Sequence, residues 1–180
     1  MDMVLYSVGE LGNFRSLLSI QRPSVDIIDP ETLSTTTIQR TTYDQILVQG
    51  TLQSGGVISV HQRGGPPFKG SPGLVWRIQG ELGEIEVTAD GSFPHLGYKQ
   101  MDIRIHNFES DNVIAVDWRA QESRSTRDLH APAADIAEIY EAFARGDTHT
   151  DWEEAVRRHE MIDEVFKGHE LYQARNYMKP

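Results

Sequence analysis

The sequence predicts an α+β fold: an open, mostly antiparallel sheet with helices packed on one face and no Rossmann domain. Two observations carry this class. From Phe14 to about Trp118 apolar residues recur with a period of two, and after Pro132 the period lengthens to that of a helix. Strands followed by helices, without strand–helix alternation, exclude a doubly wound sheet. A chain of 180 residues is long enough for one sizeable core, and a single domain over 1–180 is expected.

The elements follow in order. Met1, Val4, Leu5 and Val8 fall on one helical face over residues 1–8, with Gly9 or Gly12 able to take a left-handed stop. No Ser, Thr, Asp or Asn precedes this helix to cap it. The start therefore reads either as a chain lacking its beginning or as a frayed terminal helix docked on the sheet. Strands are expected at Phe14–Gln21, Thr36–Arg40, Gln45–Leu52, Val57–Arg63, Leu74–Gln79, Glu84–Thr88, Asp102–Phe108 and Val113–Trp118. Pro23, Asp29-Pro30, Ser54-Gly55-Gly56, the 64–73 loop, Gly80, Gly83 and Asp90-Gly91 separate them. Ser54-Gly55-Gly56 is the best hairpin signal. Ile46, Val48, Gly50 and Leu52 alternate with Leu47, Gln49 and Thr51, as in a sheet packed on one side. Ile136, Ile139, Tyr140 and Phe143 then form a stripe that stops at Gly146. Thr150-Asp151-Trp152-Glu153 has the form of a capping box, opening a helix with the stripe Ala155, Val156, His159, Ile162, Val165 and Phe166.

Composition removes several function classes. Seventeen Lys and Arg against 27 Asp and Glu leave a net charge of −10, a field that repels phosphate backbones and anionic lipid. Neither direct nucleic-acid binding nor membrane association is expected. No apolar run approaches the ~20 residues that span a bilayer, and the N-terminus has no signal-peptide pattern. The absence of Cys excludes disulfides and thiolate chemistry and suits a cytoplasmic setting, or a nuclear one for a regulator.

The chemical motifs are weak. In the loop Arg63–Gly73, Gly65 and Gly70 have P-loop spacing, but Ser71 and Pro72 stand where Lys and Ser/Thr are needed. Three prolines also remove amide donors, which favours a stiff surface loop. No G-x-G-x-x-G follows a strand, and no G-x-S-x-G elbow exists. His159-Glu160-Met161-Ile162-Asp163 resembles a helical zinc motif but lacks a third ligand, so a solvated helix face is the better account. His95, His106, His130, His149 and His169 show no ligand spacing. His61 and Arg63 alternate onto one sheet face, where a cationic pair could meet an acidic ligand or a subunit. No metal site is expected.

The segments Thr42–Leu52, Gly55–Gly65 and Pro72–Val87, with Trp76-Arg77-Ile78-Gln79-Gly80-Glu81-Leu82-Gly83-Glu84-Ile85-Glu86-Val87 the most specific, resemble a C-terminal domain. The family is the glucose–fructose oxidoreductase, inositol dehydrogenase and MocA group, nearest the fungal branch that includes the galactose-pathway repressor of yeasts. Ile136–Phe143 and Trp152–Asp163 also fit, so the resemblance covers essentially the whole chain. It implies a sheet whose uncovered face makes subunit contacts, with His61, Arg63 and Trp76 as possible ligand or interface residues. Complete relatives bind NAD(P) in an N-terminal Rossmann domain that supplies a catalytic Lys; a His and, three residues on, an Asp begin the C-terminal domain. Asp2 matches that Asp, whereas the His, the Lys and the nucleotide domain have no counterpart in these residues. Hydride transfer needs a held nicotinamide and an acid/base group. The resemblance therefore implies a truncated or split oxidoreductase half that binds no cofactor alone and is catalytically incompetent. The alternative is a non-enzymatic regulatory module. Expected partners are a second copy through the sheet or a separate Rossmann-type domain.

Overall fold

The computed structural model describes residues 2–91, 101–118, 129, 131–147 and 151–177. The chain divides into two compact units, Met1–Gly65 with Asp151–Pro180, and Pro66–Thr150. Among the described residues the strands are antiparallel and the sheets open, with no barrel. They pair in three sheets rather than in the single one expected, because neither the 23–40 nor the 64–73 segment continues the ladder of its neighbours.

Unit 1 contains α1 (Asp2–Val8), β1 (Leu11–Ser19), β2 (Ser24–Ile28), β3 (Thr35–Gln39), β4 (Gln45–Leu52), β5 (Val57–Arg63) and, from the far end of the chain, α3 (Trp152–Tyr177). Its main sheet has the order β1-β4-β5. α1 ends where Gly9, at φ 97°, returns its N–H to the Leu5 carbonyl, the left-handed stop that Gly alone takes without strain. Leu5, Leu11, Leu18, Val48 and Val165 form the buried core, with Phe14, Tyr43, Ile46, Leu52, Ile58 and Met161 around it. The alternation in β4 is thus as expected: Val48 faces the helices, and Leu47 and Gln49 point the other way.

α3 is capped one residue later than the motif suggests. Asp151 Oδ1 accepts from the Glu154 N–H, and Thr150 lies outside the described residues. Its buried face is also rotated. Arg158, Val165 and His169 are buried, while His159, Ile162 and Asp163 are exposed. Two polar residues on the inward side conceal the true stripe from a count of apolar positions. They are inside because each is paired. Arg158 makes two bonds to the Glu10 carboxylate, at 2.9 and 3.0 Å, and His169 Nδ1 accepts the Leu18 N–H at 3.1 Å.

β2 is an element that sequence patterning misses. Pro23 and Asp29-Pro30 bracket it so closely that it reads as a loop, yet a proline just before a strand removes no ladder bond. It pairs only with β3, Val25 opposite Ile38 and Ile27 opposite Thr36.

Unit 2 contains β6 (Leu74–Gln79), β7 (Gly83–Ala89), β8 (Met101–Asn107), β9 (Asn112–Ala115) and α2 (Ala131–Arg145), the strands ordered β6-β7-β8-β9. β9 ends three residues before its expected limit, and Trp118 Nε1 instead donates to the Met101 carbonyl. α2 stops at Gly146 (φ 73°) as its sequence predicts. Ile136, Ile139, Tyr140 and Phe143 do form one stripe, and it is exposed.

Candidate functional site

The pleat assigns the two faces of the unit 1 sheet. Ser16, Leu18 and Val48 are buried against the helices, so Arg15, Leu17 and Ser19 of β1 stand on the opposite side. The register places Leu17 opposite Leu47 and Leu47 opposite His61, with Gln45 opposite Arg63. This outer face therefore carries Arg15, His61 and Arg63 around Leu17, Leu47 and Val57, and no carboxylate. Val57 is 86% and Leu17 42% exposed. His61 Nε2 lies 3.3 Å from Gln45 Oε1, a diagonal contact that only a shared face permits. His61 and Arg63 thus come together as their spacing predicts. A cationic, partly apolar face on a strongly acidic chain is suited to an acidic, partly apolar partner.

Trp76 belongs to unit 2, on the apolar side of its sheet, opposite Val87, which in turn faces Ile103. It is half-buried among aliphatic neighbours. The other side of that sheet carries a charged ladder. Arg77, Glu86 and Arg104 lie directly across three strands. Arg77 Nη2 is 2.8 Å from Glu86 Oε2, and Arg104 Nη2 bonds Glu86 Oε1. Sequence patterning gives no sign of this triad, because its members lie on three different strands and meet only through register. Asp2, the position matching the family's catalytic Asp, is the first residue of α1; its side chain is outside the described set, as are His95, His130 and His149. Among the described residues no three His, Asp or Glu gather as a metal site, and no helix is long and apolar enough to cross a membrane.

Three described carboxylates are held below their ordinary range, Asp29 by the N–H groups of Thr32 and then Glu31. For Glu86 the main causes are its bonds from Arg104 and then Arg77. For Asp44 the Gln21 N–H comes first, aided by the Arg22 N–H and the Arg40 charge. Asp44 Oδ1 and Oδ2 accept those two amides at 2.9 and 2.8 Å, and its carbonyl accepts the Gly64 N–H. One buried residue thereby ties the exits of β1 and β5 to the entry of β4. A depressed carboxylate adds stability above its unfolded value and loses it as pH falls through the folded one. Stability is therefore expected to fall below about pH 4. Urea midpoints measured from pH 7 to 3 should decline less steeply for Asp44→Asn than for the wild type. Parallel declines would refute this role.

Open antiparallel sheets with a few helices are the α+β class that the sequence predicts. Residues 1–89 match the family model of the Gal80p C-terminal domain. A crystal structure of a super-repressor mutant of Gal80p from Saccharomyces cerevisiae aligns with a TM-score of 0.75 at 18% identity. The alignment covers 94% of this chain and 45% of that one, so the chain spans less than half the length of this solved relative. No curated protein matches. Residues 1–89 are thus similar in sequence to the Gal80p C-terminal domain, and the fold of the chain is similar to that of the solved Gal80p.

Proposed function

We propose that this chain is a non-enzymatic interaction module of a regulator, working in the cytoplasm or nucleus. The observation that carries the proposal is the match to the C-terminal domain of a repressor, joined to an outer sheet face that is cationic, partly apolar and exposed. On this reading the face joins two copies of the chain. On this reading residues 1–180 recognise a partner and do not themselves hold a nicotinamide, since no G-x-G-x-x-G follows a strand in them. Catalysis would need a nucleotide-binding domain supplied from elsewhere, which is the rival reading of the chain as half of an oxidoreductase.

Three measurements on the 180-residue chain test this. Titration calorimetry with NADH and NADPH should show no binding at micromolar concentrations, and sugars or polyols supplied with either nucleotide should not turn over. Micromolar binding or turnover would favour the oxidoreductase. Sedimentation equilibrium should show concentration-dependent dimerisation, and a monomer at every concentration would overturn the sheet-face interface.

A further inference from the structure

The sheet of unit 2 ends at β9 with a free side. β9 pairs with β8 and, among the described residues, with no other strand. Every residue in it is exposed, Val113 to 61% and Ile114 to 59%. The ladder decides which backbone groups are unclaimed. The Val116 N–H donates to the Ile103 carbonyl at 2.9 Å, in step with the pairing of Ile105 with Ile114 and of Asn107 with Asn112. Antiparallel bonds alternate along a strand, so Asn112, Ile114 and Val116 turn their N–H and C=O groups to β8. Val113 and Ala115 turn theirs away, and these find no partner among the described residues.

A row of this kind is a template for one more strand, and natural sheets guard it with a lysine, a proline or a bulge. β9 is short but has none of these. Its register against β8 is unbroken, and no Lys, Arg or Pro occurs from Ile105 to Trp118. The hairpin is also held in place before anything binds. Asn107 Oδ1 accepts the Ser110 N–H and hydroxyl, the Phe108 N–H donates to the Leu82 carbonyl, and Asp111 Oδ1 lies 2.9 Å from His106 Nε2. The entropy of ordering therefore falls mainly on the added strand.

Charge selects the occupant. Residues 105–118 carry Glu109, Asp111 and Asp117, and His106 is their one basic side chain. A second copy of β9 would run acidic ends against acidic ends in either orientation, and like charges set opposite each other on paired strands are unfavourable. We infer that the free side of β9 takes an extended segment of a partner protein, a run of β-branched residues flanked by lysines or arginines. The added strand exchanges backbone bonds with Val113 and Ala115, sets apolar side chains beside Val113 and Ile114, and lays its basic ends by Glu109 and Asp111. This is recognition by strand addition, in which the main chain supplies affinity and the flanking side chains supply choice. It is independent of whether the unit 1 sheet joins copies.

Two fluorescent peptides of alternating valine and threonine, one flanked by lysines and one by glutamates, test it on the intact chain by anisotropy. The lysine-flanked peptide should bind about tenfold or more tighter, and Glu109→Lys combined with Asp111→Asn should erase that preference. Ala115→Pro removes an N–H that no ladder bond uses, a position where an edge strand tolerates proline. Its circular dichroism should match the wild type while peptide binding falls about tenfold or more. Amide exchange locates the contact without any substitution: the peptide should slow exchange at Val113 and Ala115 and leave Ile114, already bonded to β8, unchanged. No binding of either peptide up to about 1 mM, full binding by the proline variant, or protection confined to other strands would overturn the inference. So would Val113 and Ala115 amides protected in the free chain. Protection lost on dilution would assign the edge to a second copy, and protection at every concentration to a segment of the same chain.

Discussion

Gly50→Ala is expected to cost about 3 kcal/mol or more, at the upper end of what overpacking does, and to unfold unit 1 in mild denaturant. Gly50 lies in the central strand opposite Phe14, where β1 departs from regular register between Leu11 and Phe14. A methyl group at Gly50 would overlap the Asn13 carbonyl oxygen and come within 2.6 Å of the Phe14 Cα. Both are backbone atoms, so no rotamer change relieves the clash and the bulge itself must move. Gly55→Ala is the control. Gly55 has φ 92° with nothing near its would-be Cβ, so only the dihedral penalty of about 1 kcal/mol applies. Urea unfolding followed by tryptophan fluorescence and circular dichroism should rank Gly50→Ala well below Gly55→Ala. The reverse order would mean that the strands do not approach this closely.

That glycine also shows what the sequence does and does not disclose. β4, β5 and β6 are legible to the residue, because each is an alternating run closed by a strong turn signal such as Ser54-Gly55-Gly56. The alternation even places Gly50 on the core side. It cannot say that a bulge in β1 presses against it, since the cause lies about forty residues away. β2 is hidden by its own brackets of proline and aspartate, which mark turns more often than strand ends. The shared face of His61 and Arg63 follows from period two alone. The Arg77–Glu86–Arg104 ladder exists only through register across β6, β7 and β8, information that no local window holds.

The inward face of α3 is the clearest case of polar residues carrying packing, and His169 gives its sharpest test. The ring is 2% exposed and stands edge-on to Tyr43, with centroids 5.3 Å apart. Nδ1 accepts the Leu18 N–H, which leaves the ring proton on Nε2, and the Gln173 side-chain amide 3.0 Å away accepts it with its oxygen turned to the ring. One turn earlier the Ser16 hydroxyl donates to the Val165 carbonyl, and a side chain at Gly168 would meet that hydroxyl at 2.8 Å. β1 and α3 are therefore joined directly by polar bonds. His169→Ala opens a cavity and also strands the Leu18 N–H, so a loss of about 3–5 kcal/mol is expected. His169→Phe separates the two effects. It keeps an aromatic edge beside Tyr43 and removes the Nδ1 acceptor together with the more exposed Nε2 contact to Gln173, so it should cost about 1–3 kcal/mol. Amide exchange at Leu18 should then accelerate more than at Val48, which the same sheet buries equally. If the Phe variant matches the wild type in both stability and exchange, the helix is held by shape alone, and the paired polar atoms on its inner side do not dock it.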